Sequence, residues 1–433
     1  METVQDAIAF YHSLETFGIR PGLERITQLC SLLGDPQKKL RFIHVAGTNG
    51  KGTVCTLISN VLREAGFRTG LFVSPYVIDF RERIQLNNEM ISPDSLVKVT
   101  MCVRDAVLQL NNEGVYPTEF EAVTAAAFVF FAENNCDAVV LETGLGGRFD
   151  ATNVIDAPIV SVITSISLDH TKVLGDTIRD IAYEKSGIIK NRCHVVTPCK
   201  QCAQALDVIR EQAAAKNAYL FESDPELLFE IVGADITGTD IKYRGKSVHI
   251  PFAGVHQTEN AAAAVKALEV IGVNGLDLTA DHIKTGIEAS KNPARTEVLS
   301  KEPFVLLDGS HNPGSTKALH NVLDAFLPGK KLIAVMGMMA DKDCETAVEQ
   351  LSDRFQHVIA VTPSNPRSMK AADFAALLSE HGVSAQAEND PIKGINRAFR
   401  MLPKYDGLIV CGSLYLAAEV RNQIIKNISE YKS

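Results

Sequence analysis

Residues 42–53 read FIHVAGTNGKGT, an apolar run that empties into a loop with three glycines and one lysine, and the chain continues as VCTLISNVLREAG with a helical rhythm. A strand feeding a glycine-rich loop that opens a helix aims backbone N–H groups and the helix dipole at one point, a cradle for phosphate. Gly47, Gly50 and Gly52 let the backbone approach an anion, Lys51 supplies a point charge, and the Thr53 hydroxyl is within reach of a phosphate-bound Mg²⁺. The common P-loop pattern has Ser or Thr directly after the lysine, whereas here Gly52 intervenes. The stretch therefore predicts an α/β nucleotide-binding domain that handles ATP. A glycine-rich turn that binds nothing is the alternative, and strand, lysine, hydroxyl and helix in series speak against it.

Outward from this loop, strand-like runs (TGLFVS, DAVVLE, PIVSVITSI, HVVTP) alternate with helix-like stretches, the signature of βαβ units and a mainly parallel sheet covered by helices. Residues 219–252 break the rhythm: LLFEIVG, DIKYRG and KSVHIPF predict short antiparallel strands or a hairpin, followed by a helix over HQTENAAAAVKALEVIG. The polar stretch EASKNPARTEVL at 288–299 then precedes a second series of strands, FVLLDG, KLIAVMG, HVIAVTP and GLIVCG. The expected organisation is an ATP-binding P-loop domain over 1–296 and a smaller, C-terminal Rossmann-like α/β domain over 297–433. No GxGxxG follows the first strand of the second series, so a dinucleotide is not implied.

Length and composition agree. The chain has 433 residues, 46% apolar and 22% charged, enough for two or three domains with substantial cores. A net charge of −9 without a lysine or arginine block argues against nucleic acid or an anionic membrane as partner, and for a small molecule. The apolar run AAAFVFFA at 125–132 is too short to span a bilayer, and METVQDAIAFYHSLE carries acids where a signal peptide would not, so a cytoplasmic protein is expected. Nine scattered cysteines suit reduced thiols. Cys193, His194, Cys199 and Cys202 form the one cluster, but a strand over HVVTP and a helix over KQCAQALDVIREQAAA would scatter them, and buried thiols are the preferred reading over a zinc site.

The carboxylates and histidines sort by position. Glu142 closes the strand DAVVLE and is followed at once by the glycine-rich TGLGGRFDATN; an acid at the carboxyl end of a strand beside the P-loop strand is where nucleotide enzymes hold Mg²⁺. Asp169 and His170 repeat the arrangement after PIVSVITSISL. DTIRDIAYEKSGIIK predicts a helix capped by Asp176 or Thr177, ending near Gly187, with Glu184 and Lys185 in its last turns. A lysine there is also what the helix dipole attracts, so the residues alone leave its role open.

Taken together, GLERI at 22–26, HVAGTNGKGT, GLFVSPYVIDFRERIQLN, TEFEAVTAAAF, LETGLGGRFDATN, SLDHTKVLGDTI, EKSGIIK, HQTENAA, PART, DGSHNP and GSLYL closely resemble the folylpolyglutamate synthase and dihydrofolate synthase family, a branch of the Mur ligase superfamily. These segments run in order from residue 22 to residue 416, essentially the whole chain. The resemblance implies an ATP- and Mg²⁺-dependent amide ligase that joins the γ-carboxyl of a folate to the amine of L-glutamate through an acyl phosphate, with dihydropteroate as a further candidate acid. It implies catalytic roles for Lys51, Glu142, His170 and Lys185, and an ATP site made by Thr48, Asn49, Gly50, Lys51, Gly52, Thr53, Asn260, Arg295, Asp308 and His311. It further implies Mg²⁺ ligands among Thr53, Ser74, Glu142, His170 and a carbamylated Lys185, and pterin contacts at Phe120, Glu121, Phe149, Asp150 and Ala151. Tyr76 stands where relatives often carry histidine. A monomer is expected. Because both substrates are anionic, positive charge must gather locally, and Lys51, Arg81, Arg83, Arg148 and Arg295 are the candidates. A Mur-type ligase for another acid and amine, and a catalytically silent nucleotide-binding regulator, are the competing readings.

Overall fold

A computed structural model gives the fold of residues 2–14 and 20–432; Met1 and Glu15, the ends of the acidic N-terminal stretch, lie outside the described residues. Eight strands form the first sheet: β1 (Phe42–Ala46), β2 (Thr69–Phe72), β3 (Ile84–Leu86), β4 (Glu89–Met90), β5 (Ala138–Glu142), β6 (Val160–Ile163), β7 (His194–Pro198) and β8 (Tyr219–Ser223). Their order is β4-β3-β2-β5-β1-β6-β7-β8, with every pair from β2 to β8 parallel and β3 and β4 added antiparallel at one edge. Every residue of β1, β2, β5 and β6 is buried, as expected for central strands covered by helices on both faces.

One face carries Ile43 and Val45 into a core with helices Lys51–Glu64 and Val255–Val273, and the other carries Phe42, Phe72 and Leu141 against helices Pro93–Asn112 and Glu119–Glu133. Strand alternation produces this split, because successive side chains point to opposite faces. A separate antiparallel meander, β9 (Glu230–Asp235), β10 (Gly238–Tyr243) and β11 (Lys246–Ile250), covers part of the first core through Ile241, Tyr243, Val248 and Ile250. The break in rhythm at 219–252 thus begins later than expected: Tyr219–Ser223 is still a parallel strand, paired with β7. Its tyrosine and phenylalanine are exposed, so this edge strand lacks the buried pattern of the central ones.

The third sheet is built from residue 297 onward: β12 (Glu297–Lys301), β13 (Phe304–Leu307), β14 (Leu332–Met336), β15 (Phe355–Val361), β16 (Ala385–Glu388) and β17 (Gly407–Cys411), in the order β12-β13-β17-β14-β15-β16. All pairs are parallel except β12 with β13. Its two cores lie on the two faces of this sheet and draw their buried members from Ala294 onward.

The order β5-β1-β6 reverses direction of winding at β1, so the carboxyl ends of these three strands open a crevice. The P-loop, Glu142 and the segment after β6 all emerge there. Among the described residues no helix is long and apolar enough to cross a membrane. Cys193 is buried, Cys199 half-buried and Cys202 exposed, so the expectation of buried thiols holds for Cys193 alone, and no group of three or more His, Cys, Asp or Glu among the described residues is arranged to hold a metal.

Candidate active site

Helix Lys51–Glu64 starts at Gly50, which has φ 88°, and no side chain caps its first N–H groups. An uncapped helix start leaves donors and the positive dipole end available to an anion. Glycine is required at Gly50 twice over: the left-handed φ disfavours a side chain, and a Cβ would stand 2.2 Å from Asn260 Oδ1. Asn260, buried in helix Val255–Val273, is oriented by a bond from its Nδ2 to Gln257 Oε1 at 3.0 Å. Lys51 Nζ donates to the carbonyls of Gly47 at 3.2 Å and Thr48 at 3.4 Å, and it has no carboxylate partner among the described residues. Thr48 is locked to the segment after β6, its hydroxyl donating to Ser167 O at 3.1 Å and accepting from Ser167 N at 3.1 Å.

Glu142 is 4% exposed and receives one hydrogen bond, from Ser74 N at 3.3 Å. Burial pushes its carboxyl up to about 7, against the pull of Lys51, Ser74 N and Arg295. A carboxylate kept in so poor a setting is a group waiting for a cation. Thr53, buried in the first turn of helix Lys51–Glu64, accepts from Asn292 Nδ2 at 3.0 Å. This donor set of hydroxyl oxygens and one underprotected carboxylate fits a hard, oxygen-seeking ion such as Mg²⁺.

Lys185 sits in the last turn of helix Ile178–Ser186, whose start is the capping box of Thr177 and Asp180. It does not serve the dipole of its own helix. The side chain is buried, its Nζ donates to Gly47 O at 2.8 Å, and burial, aided by the Lys51 charge, pushes its amine down to about 7. Glu184, its neighbour, turns toward Arg148 at 3.8 Å, as adjacent helix positions must diverge. His170 takes a left-handed φ of 52°, and burial holds its imidazole down to about 4.

Two residues not singled out from the sequence complete this cluster. Lys342, in the loop after β14, places Nζ 2.5 Å from Asp169 Oδ1 and 3.5 Å from His170 Nε2. Burial alone would raise Asp169, yet the neighbouring His170 and Lys342 hold its carboxyl well below the usual range. Asn312 exchanges amide bonds with Asn49 at 3.2 and 3.1 Å and donates to Asp169 Oδ2 at 2.9 Å, tying the P-loop to the third sheet's unit. Lys342 has a faint sequence signal, a polar ADKD just past a parallel strand; Asn312 and Asn292 precede prolines inside quoted motifs, but nothing in a sequence says what an asparagine will bridge.

Arg295 lies between Ala294 and Thr296, both in left-handed backbone at φ 57° and 52°, near enough to pull on Glu142 and His311. Asp308 is buried, its two oxygens accepting from Thr296 N at 2.7 Å and Ser310 N at 2.8 Å. His311 Nδ1 is 2.8 Å from Gly309 O, and burial pushes this ring down to about 4. The other expected cations are already engaged: Arg81 pairs with Asp79, Arg83 with Glu119, and Arg148 lies over the Phe149 and Tyr183 rings at 4.8 and 5.2 Å. Of the expected cations, Lys51 and Arg295 remain without a carboxylate within ion-pair distance among the described residues, and Lys342 brings a further cation that Asp169 pairs.

The residues expected to meet a pterin form a neighbouring wall. Phe120 packs on Gly144, where a Cβ would come within 2.6 Å of the ring, and it tilts against Phe72 at 5.8 Å. Phe149 is 43% exposed, with Arg148 over its ring, and Ala151 is buried. Glu121 and Asp150 are committed to the framework. Glu121 closes the Thr118 capping box and pairs with Arg25 at 3.1 Å, while Asp150 accepts from Gly144 N at 3.0 Å and Leu145 N at 2.8 Å. Tyr76 meets Phe80 edge-on at 5.7 Å.

Comparison with known proteins matches this geometry. The Mur ligase middle domain model matches residues 45–268, and the Mur ligase glutamate ligase domain model matches residues 294–414. The dihydrofolate synthase/folylpolyglutamate synthase of Bacillus subtilis (strain 168) is 35% identical over 432 residues, covering 97% of this chain and 99% of the relative. The structure of Mycobacterium tuberculosis folylpolyglutamate synthase complexed with ADP and AMPPCP superposes with a TM-score of 0.89 at 29% identity, covering 97% of this chain and 98% of the other. An Escherichia coli structure in complex with DHPP and ADP gives a TM-score of 0.85 at 27% identity, covering 100% and 99%. Matched by a family model over residues 45–268 and by a relative 35% identical along nearly the whole of both chains, this chain belongs to the folylpolyglutamate synthase/dihydrofolate synthase family of Mur ligases.

Proposed function

We infer that this chain is an ATP-dependent ligase that joins L-glutamate to the γ-carboxyl of a reduced folate, and that dihydropteroate is a second acid it accepts. The observation that carries the reading is the convergence of Lys51, Glu142, Lys185 and Arg295 at the carboxyl ends of β5, β1 and β6, beside a wall carrying Phe120 and Phe149.

A carboxylate is a poor electrophile, so the folate carboxyl is first phosphorylated and the glutamate amine then displaces phosphate. Mg²⁺, when bound, supplies charge neutralisation at the phosphates and the attacking oxygen. Lys51 and the N–H groups following Gly50 bind the nucleotide's phosphates. Thr53, Ser74, Glu142 and His170 hold the metal. Asn260, Arg295, Asp308 and His311 complete the ATP site, the last two contributed by a unit spanning 297–433 that closes over one spanning 1–296. Phe120 and Phe149 hold the pterin by stacking, with Asp150 and Ala151 shaping the pocket and Glu121 anchoring the helix that carries Phe120.

Lys185 is carbamylated in this reading. Burial favours its neutral amine, the form that reacts with CO₂, and the resulting carbamate is an anion able to bind a metal, which an ammonium is not. The test of function is ATP turnover by the purified protein with Mg²⁺. The reading expects ADP release that requires both glutamate and either tetrahydrofolate or dihydropteroate; turnover indifferent to both would favour a nucleotide-binding regulator, and turnover with other acids and amines a different Mur-type ligase.

A further inference from the structure

His44 is a fully buried histidine that the reaction above does not use. It lies in the middle of β1, level with Leu141 in β5 and Ser161 in β6, on the sheet face opposite Ile43 and Val45. Its Nε2 is 2.8 Å from Thr152 Oγ1, while Nδ1 has no hydrogen-bond partner among the described residues. Thr152 Oγ1 is 2.5 Å from Asp150 Oδ1, and Thr152 N donates to the same oxygen at 3.0 Å. Asp150 Oδ2 in turn accepts from Gly144 N and Leu145 N.

Two proton arrangements fit these distances, and they are not equal. In one, a protonated Asp150 donates to Thr152 and Thr152 donates to His44, which leaves an Nδ1–H buried without an acceptor. In the other, His44 donates from Nε2, Thr152 donates to an ionised Asp150, and only the Nδ1 lone pair is orphaned. An orphaned buried donor is the rarer and costlier defect. Although burial raises the Asp150 carboxyl, three backbone N–H groups and a hydroxyl converge on it, and donors of that kind favour the ionised form. The second arrangement therefore prevails. Burial, with Lys190 adding to it, pushes the imidazole down to about 3, so it stays neutral and its tautomer does not change through the working pH range.

We infer that His44 is a positioning residue for the folate side of the site: through Thr152 and Asp150 it fixes the Gly144–Leu145 turn on which Phe120 packs. This rests on the folate-ligase reading for its consequence, though not for its geometry. Because Phe120 sits so tightly on Gly144, a slip in that turn moves the ring directly. The ATP side is insulated from such a slip. Glu142 is aligned with Val45 by strand pairing, and Thr143 N donates to Val45 O at 2.9 Å, whatever the turn beyond does.

The test uses the full chain with His44→Leu, which removes the donor, His44→Gln, whose amide N–H falls near the Nε2 position, and Thr152→Val, which breaks the middle link. In His44→Leu and Thr152→Val, the Gly144 and Leu145 amides should exchange hydrogen about tenfold faster, and KM for tetrahydrofolate should rise about tenfold while KM for ATP stays within about twofold. His44→Gln should recover most of both effects. Should His44→Leu not fold, Thr152→Val carries the same readouts with the strand untouched. Unchanged exchange, an equal rise in both KM values, or a Gln variant no better than Leu would overturn the inference. The exchange measurement needs no turnover, so a parent protein that fails to ligate counts against the proposed function alone and leaves the relay to be judged by its amides.

Discussion

Glu142 and Lys185 are buried with pKa values displaced toward each other, the first up to about 7 and the second down to about 7. For a carboxyl raised on folding, the native state binds the proton more tightly than the unfolded chain. Its stabilising contribution is full below the unfolded value near 4.5 and is lost as pH rises through about 7. Glu142→Gln removes that titration, so the ligand-free variant should gain on the parent, by on the order of 2 kcal/mol, between about pH 5 and about pH 8. Thermal melts across that window check it, and a difference independent of pH would mean the carboxyl titrates normally; ligation by the variant should be lost. For Lys185 the expectation is chemical. Lys185→Ala should be nearly inactive and partly restored by added acetate, which substitutes for the carbamate oxygens. Full activity of the alanine variant without acetate would remove the carbamate from the mechanism. Lys185 was legible only through resemblance, because position in a last helical turn favours a lysine for unrelated reasons; its burial against Gly47 O depends on a loop distant in sequence.

At the scale of elements, the P-loop was the most readable feature, since strand, glycines, lysine and helix follow one another without interruption. Among the described residues Lys51 donates to loop carbonyls alone, so its charge remains available to a transferring phosphoryl group. Lys51→Ala should leave melting temperature nearly unchanged and cost about 3 kcal/mol or more in the transition state, read as kcat/KM. Near-normal turnover would take the loop out of the reaction. The elements that escaped notice share a cause. Tyr219–Ser223, Glu297–Lys301 and Ala385–Glu388 are short edge strands with several exposed or half-buried residues, so none carries the sustained buried apolar run that marks the central strands. The arginines misled for a similar reason: charge type is visible in a sequence, but whether a carboxylate such as Asp79 or Glu119 already neutralises it is not.

For the whole molecule, the first two sheets and the third have separate cores, while the proposed active-site cluster draws on both through Asn312, Asp308, His311 and Lys342. Residues 1–296 expressed alone should therefore fold, giving a cooperative melt, and fail to ligate; robust ligation by that fragment would make the second unit dispensable. The bridges across the cleft were illegible in sequence because they depend on docking two independently built sheets, and one Asn–Asn pair leaves no periodic trace. The central claim, ligation of glutamate to a folate through an acyl phosphate, is tested most directly by supplying tetrahydrofolate with heavy oxygen in its γ-carboxylate, together with ATP, Mg²⁺ and L-glutamate, and weighing all products by mass spectrometry. The expected products are a folate extended by one glutamyl residue and inorganic phosphate carrying one heavy oxygen for each ADP formed. Unextended folate, or phosphate without the label while ATP is consumed, would contradict it.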